Sequence, residues 1–201
     1  MIDVEHFRRI EVDRTESEER VLLYVGRISS EKNLRRLVNA FTRVQREGHD
    51  QRLKLWIAGY GPMRVELEHL VVGLGLAGCV KFLGPVPQER LPEVYSQADL
   101  FILPSTSETW GLVVNEAMCC ELPVLVSSRC GCAESLVNKE TGWVVDPFDE
   151  QAMAEAISQA ARLPRERLLA MGRAGRQLCE QHSPAKCAAR VVDGLSQVLS
   201  S

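Results

Sequence analysis

The sequence predicts an open α/β domain with a mostly parallel sheet flanked by helices. Two features carry that expectation. Short apolar runs recur along the chain and several end in glycine, as in VLLYVG (21–26) and LKLWIAG (53–59). Runs of this length and β-branched content suit parallel strands covered on both faces. Helix-patterned stretches separate these runs, and strand–helix alternation at this spacing belongs to crossover-connected parallel sheets. No long polar linker, internal repeat or low-complexity block divides the 201 residues.

The elements follow in order. After the run at 21–26, NLRRLVNAFTRVQREG places Leu34, Leu37, Val38, Phe41 and Val44 on one helical face, with Gly48 as a stop. After the second run, GPMRVELEHLVVGLGLAG predicts a helix with Pro62 near its first turn. CVKFLG (79–84) reads as a strand, and PQERLPEVYSQA as a short helix in which Pro92 marks a new first turn. FILP (101–104), PVLVSS (123–128) and WVV (143–145) read as further strands. GLVVNEAMCCE, GCAESLV and DEQAMAEAISQAARL supply helices between and after them. PRERLLAMGRAGRQLCEQH and PAKCAARVVDGLSQVLS predict two closing helices.

Composition narrows the function classes. Apolar residues make up 45% and charged residues 25%, ordinary for a soluble globular chain. The first twenty residues are too polar for a signal peptide, and no apolar run reaches the roughly 18 residues needed to cross a bilayer. These features predict a cytoplasmic protein, compatible with a place at the cytoplasmic face of a membrane but not across it. Residues 91–155 carry 2 basic against 11 acidic side chains, which disfavours a nucleic-acid partner there. Seven cysteines, an odd count without metal-site spacing, read as small apolar packing residues.

Open parallel sheets bind ligands at the C-terminal ends of their strands, so the loops after the apolar runs draw attention. In VGRISSEKNL (25–34), Gly26 ends a strand and Arg27 and Lys32 offer two cations to an anion. Ser29 and Ser30 are expected to cap the following helix. No Gly-x-Gly-x-x-Gly fingerprint for a dinucleotide is present here. In KFLGPVPQERL (81–91), backbone groups near Val86 could meet a planar base. In LPSTSETWGLVVNEAM (103–118), a helix beginning near Gly111 would aim unpaired N–H groups at a diphosphate. Glu108 precedes that helix, and Glu116 lies in its second turn. An exposed acid at such an end gains roughly 0.3–1 kcal/mol from the helix dipole, which accounts for Glu108. Glu116 needs another partner, and a sugar or ribose diol would serve; two acids that merely cap and solvate the helix are the plainer alternative.

VGRISSEKNLRRLVNAF, IAGYGPMR, VKFLGPVPQERLPEVYSQADLFILPS, ETWGLVVNEAM, PVLVSS and TGWVVDP together resemble the C-terminal half of group 1 (family 4-like) retaining glycosyltransferases of the two-domain GT-B architecture. The resemblance runs from about residue 20 to 190. It implies a Rossmann-like domain at 21–182, a linker-derived segment at 1–20, and a helix at 183–201 that packs on the domain or toward an N-terminal one. It also implies a nucleotide-sugar donor, a UDP- or GDP-sugar, with no required cofactor and no metal.

By the same resemblance Arg27 and Lys32, beside Gly26, hold the diphosphate. The main chain of Val86 meets the base, and Glu116 takes the ribose hydroxyls. Glu108 faces the transferred sugar, and Thr109, Trp110, Gly111 and Leu112 add main-chain contacts. Arg27, Lys32 and Glu108 would be the catalytic set. The family usually has Glu-Gly-Phe-Gly where this chain has Glu108-Thr109-Trp110-Gly111, so Thr109 is expected to narrow the sugar pocket. The family's other half carries the acceptor contacts and an important histidine, a position that His6, His49, His69 and His182 do not match. The resemblance therefore implies a donor-binding half-enzyme without transfer activity of its own, completed by an N-terminal acceptor domain in cis or in a partner chain. The alternative is a non-catalytic nucleotide-sugar-binding module or regulatory subunit.

Overall fold

A computed structural model describes residues 4–12, 19–46 and 52–181. The expected stop at Gly48 and the expected helix over 183–201 lie outside the described residues. Six apolar runs form strands: β1 (Arg20–Val25), β2 (Leu53–Ala58), β3 (Val80–Gly84), β4 (Leu100–Leu103), β5 (Val124–Ser127) and β6 (Gly142–Val145). They make one sheet in the order β3-β2-β1-β4-β5-β6, with every neighbouring pair parallel. Burial explains the composition of the runs. β4 and β5 are buried at every position, as only a central strand covered on both faces can be.

The helices are α1 (Leu34–Arg46), α2 (Arg64–Gly73), α3 (Leu91–Ser96), α4 (Leu112–Cys119), α5 (Ala133–Leu136), α6 (Glu150–Arg162) and α7 (Arg165–Gln181). α1 buries Leu34, Leu37, Val38, Phe41 and Val44, the face its spacing predicts. Pro92 falls in the first turn of α3, where its missing N–H has no helical partner to lose. Asp149 caps α6 through a 2.8 Å bond from the Ala152 N–H. No helix among the described residues is long and apolar enough to cross a membrane.

Residues 4–12 pack onto this framework. Phe7 is buried and meets Tyr95 edge-on at 6.2 Å between ring centroids, while the Ile10 N–H donates to Ser96 Oγ at 2.9 Å. Six of the seven cysteines are described, all as free thiols, and five of them are buried. Burial pushes the Cys120 and Cys130 thiols up to about 12, which keeps them protonated and inert, as packing residues are.

The strand order has one reversal that matters for function. From β1 the chain moves outward to β2 and β3, then returns across β1 to place β4, β5 and β6 on the other side. The loops after β1 and β4 therefore leave the sheet side by side and diverge, opening a crevice at the C-terminal edge.

Candidate functional site

Four strand-end loops build this edge, and they are fastened to one another by their backbones. After β1 and β2, the Gly26 N–H donates to Ala58 O at 3.0 Å and the Ile28 N–H to Tyr60 O at 2.8 Å. The Gly59 N–H reaches Gly84 O, at the end of β3, at 2.7 Å. This approach requires glycine at position 59: φ is +135°, and a Cβ there would lie 1.9 Å from Gly26 O. Between the fastened loops lies a cleft of about 230 Å³ lined by Gly26, Arg27, Gly59, Tyr60, Val86 and Leu91, with neighbours from β1 and β2. The cleft brings Gly26, Arg27 and Val86 together. Arg27 is exposed and its guanidinium has no ion pair among the described residues.

The β1 loop does not form as the two serines suggested. Residues Ser30–Lys32 make a 3-10 turn, and Asn33 adopts the left-handed conformation (φ 59°) before α1 begins. Ser29 lies ahead of that turn and makes no capping bond; its hydroxyl donates to Glu31 Oε1 at 2.5 Å. That bond is the largest of the effects that hold the Glu31 carboxyl below its usual range. Asn33 ties the loop down, its Nδ2 donating to Pro104 O at 3.0 Å and Pro147 O at 2.7 Å. The first of these bonds joins the β1 loop to the β4 loop and the second joins it to the segment after β6, and Thr106 N–H to Glu31 O at 2.8 Å adds a second link between the β1 and β4 loops.

Across this seam Lys32 Nζ donates to Glu108 Oε2. The two side chains are 18% and 19% exposed, so the pair is largely shielded from water. The sequence had separated them, giving the lysine to a phosphate and the acid to a sugar; the fold puts them in contact. Tyr24, buried below, donates its hydroxyl to Arg27 O at 2.6 Å. Burial, reinforced by the nearby Glu108 and Glu31 carboxylates, pushes its pKa upward and keeps it a neutral donor.

The β4 loop is fastened on its other side as well. Gly131 N–H donates to Glu108 O at 3.0 Å, Cys132 N–H to Trp110 O at 3.1 Å, and Glu108 N–H to Arg129 O at 3.3 Å. Residues 129–132 thus shape the segment Glu108–Trp110, a role not foreseen from sequence. Gly111 follows with φ +92°, in the left-handed region, and turns the chain into α4. Among the described residues the N–H groups of Gly111, Leu112 and Val113 have no acceptor, as expected where a helix starts. Thr109, Trp110 and Leu112 are exposed around this start, and the Trp110 indole donates to Asn115 Oδ1 at 2.9 Å.

Glu116 lies one turn further in and is not a lone acid. The buried Tyr95 hydroxyl, on α3, donates to its Oε2 at 2.8 Å. Oε1 has no hydrogen-bond partner among the described residues. Burial raises the Glu116 pKa, opposed by the Tyr95 bond and by the nearby His6. Among the described residues no hydrogen bond or ion pair joins Glu116 to Glu108, or either acid to the residues lining the cleft at Val86. The glycine pair in IAGYGPMR was the sequence signal for the β2 loop's role, since such spacing marks close backbone approach; the contributions of Tyr95 and His6 carry no comparable signal.

A match to the group 1 glycosyl transferase model spans residues 7–178. The chain belongs to this family. It is 32% identical over 163 residues to the GDP-mannose-dependent alpha-(1-6)-phosphatidylinositol monomannoside mannosyltransferase of Mycolicibacterium smegmatis, covering 78% of this chain and 42% of that protein. Among solved structures, sucrose-phosphate synthase from Thermosynechococcus elongatus superposes with a TM-score of 0.82 at 28% identity, over 98% of this chain and 51% of that one. HepE of Anabaena, solved in complex with UDP, shares the fold with a TM-score of 0.82 at 20% identity, over 98% of this chain and 56% of that one. The group 1 chain described here spans less than half the length of the curated relatives it matches. Its Rossmann-like domain is consistent with one half of a GT-B fold.

Proposed function

We propose that this chain is the donor-binding half of a retaining glycosyltransferase, taking a UDP- or GDP-sugar and working with an N-terminal acceptor domain in cis or in a partner chain. The observation that carries this reading is the Lys32–Glu108 pair, which straddles the β1/β4 crevice beside the unpaired N–H groups that begin α4. An ammonium has three donors, so contact with Glu108 leaves two for phosphate oxygens. A carboxylate can accept on both oxygens, so Oε1 of Glu108 stays available to a sugar hydroxyl. One ion pair can thus serve the junction between diphosphate and sugar, the bond that breaks in transfer. A relative whose name records dependence on GDP-mannose, and a fold neighbour solved with UDP, support a nucleotide-sugar ligand.

In this reading Arg27 reaches the diphosphate from the cleft, and the main chain of Gly26 lies alongside it. The backbone of Val86 meets the base, and Oε1 of Glu116 takes a ribose hydroxyl. The main chain from Thr109 to Leu112 completes the anion site. Fixed cations and N–H dipoles would stabilise charge growing on the departing diphosphate. Transfer itself needs the acceptor domain, which also excludes water from the cleft.

Calorimetry of UDP, GDP and ADP and their sugars against the chain tests the proposal, with uridine and guanosine as controls. Binding of at least one nucleoside diphosphate is expected. Arg27→Ala and Lys32→Ala should weaken it by roughly 1.5–3 kcal/mol each, the range for bonds to charged groups, with little effect on the nucleoside. Salt should weaken the wild-type interaction. Failure of every nucleotide to bind, or equal losses for diphosphate and nucleoside, would refute the assignment.

A further inference from the structure

Tyr60 stands out among the residues of the edge because its backbone is held and its side chain is not. Its carbonyl accepts the Ile28 N–H at 2.8 Å, and the glycines on both sides are pressed against the β1 loop. A Cβ on Gly61 would lie 2.2 Å from Ile28 O, as one on Gly59 would from Gly26 O at 1.9 Å. The segment therefore lies hard against the β1 loop backbone. Tyr60 is nevertheless 69% exposed, the most exposed large apolar residue among the described residues. Among the described residues it has no ring partner, and its hydroxyl has no hydrogen bond.

What the ring overlooks is specific. The cleft beside it has apolar walls from Val25, Ala58, Pro85, Val86 and Leu91, and a single cation, Arg27, at its rim. Its volume of about 230 Å³ falls below the roughly 300–1,000 Å³ of sites that enclose a whole drug-sized ligand. It suits a single flat ring system whose charged extension leaves past Arg27. A water-exposed aromatic fixed over an apolar slot is preorganised: packing a flat ligand on it costs no backbone ordering, and the tyrosine side chain has only two rotatable angles to lose.

We infer that Tyr60 is the face on which the nucleobase of the donor packs, opposite the main chain at Val86. The inference rests on the nucleotide-sugar reading above. It assigns to a residue outside the Arg27, Lys32, Glu108 and Glu116 set the apolar share of donor affinity. Packing on an aromatic face is tolerant of base identity. Discrimination between uracil and guanine therefore falls to the hydrogen bonds of the Val86 main chain, and Tyr60 supplies affinity to both.

The test is titration of the full chain and its Tyr60→Ala and Tyr60→Phe variants with UDP, GDP and inorganic pyrophosphate, alongside thermal melts. Tyr60→Ala should weaken UDP and GDP by similar factors, roughly 5- to 150-fold, the range for loss of one stacked base. Pyrophosphate affinity and melting temperature should not change, and Tyr60→Phe should bind like the wild type. Unaltered UDP affinity in Tyr60→Ala overturns the inference and leaves the donor-site reading standing. Equal loss of UDP and pyrophosphate also overturns it, because the residue would then be shaping the anion site. A wild-type chain that binds none of the three removes the donor-site reading and the inference together.

Discussion

Replacing Lys32 with Met should destabilise the fold, and replacing Glu108 as well should restore part of the loss. The two side chains come from loops 76 residues apart in sequence and meet with about four-fifths of each covered. Fully exposed pairs of this kind contribute about 0.2–1 kcal/mol. Removing one partner of a fully buried pair costs about 3–5 kcal/mol, because the other charge is left unpaired. Cover of this extent lies between the limits, so Lys32→Met should cost roughly 1.5–3 kcal/mol. In a chain of this size that corresponds to a fall of about 3–12 °C in melting temperature.

Glu108→Gln leaves an ammonium unpaired instead, but a lysine stem can swing its head toward water, so the loss should be smaller. The double variant leaves no orphaned charge, and its cost should fall short of the sum of the two by about 1–2 kcal/mol. Urea or thermal melts of the four proteins, at low and at high salt, measure this coupling. A shielded pair should lose little of it to salt. Additivity to within roughly 0.3–0.5 kcal/mol would refute the reasoning and return Lys32 and Glu108 to independent surface charges.

Three further outcomes follow from the geometry. Gly59→Ala forces a Cβ to within 1.9 Å of a backbone oxygen at φ +135° and should cost upwards of roughly 2 kcal/mol in urea melts; Gly78→Ala, with nothing within 4 Å, should be neutral or gain about 0.4–1 kcal/mol, and similar behaviour of the two would show that the β1 and β2 loops are not tightly fastened. Burial raises the Glu116 carboxyl above 4.5, so the folded chain holds that proton more tightly than the unfolded one, and this group's contribution to stability is fullest below 4.5 and falls as pH rises through the raised value. Glu116→Gln cannot ionise and should gain on the wild type as pH rises from about 4.5 through the raised value; a pH-independent difference in melting temperature would show the carboxylate as well solvated folded as unfolded. Asn115→Leu removes the acceptor that holds the Trp110 indole at 2.9 Å, and should cost about 0.5–1.5 kcal/mol and shift the Trp110 emission, isolated by subtracting Trp110→Phe spectra; an unchanged spectrum would mean that packing alone fixes the ring.

The parts of this molecule that could be read from sequence are those decided locally. β4 and β5 follow from their unbroken apolar runs, and α1 from five apolar residues at helical spacing. The expectation that ligand-binding groups gather in the loops after strands needs only the alternation of elements, and it directed attention to Gly26–Lys32, Val86 and Glu108–Leu112. The capping role given to Ser29 and Ser30 failed for an equally local reason. A left-handed Asn33 inserts a separate turn before α1, and nothing in SSEKNL distinguishes that path from a direct helix start.

What sequence could not supply is decided by strand order. Alternation alone does not say that β4 lies beside β1, yet that adjacency makes Lys32 and Glu108 partners and sets Asn33 against Pro104. Tyr95 meets Glu116 for the same kind of reason, α3 and α4 being brought together through the sheet. These contacts change how the acids of the β4–α4 segment should be understood. Read singly, Glu108 and Glu116 are two carboxylates near one helix end, each awaiting a ligand. In the fold each already spends one oxygen on the protein, Glu108 on a cation and Glu116 on a phenol. A carboxylate so held is oriented before any ligand arrives, and its second oxygen is directed by the bond the first has made. In the proposed donor site each acid would therefore recognise a hydroxyl without ordering itself at the moment of binding, and the geometry of that recognition would be set by Lys32 and Tyr95 as much as by the acids themselves.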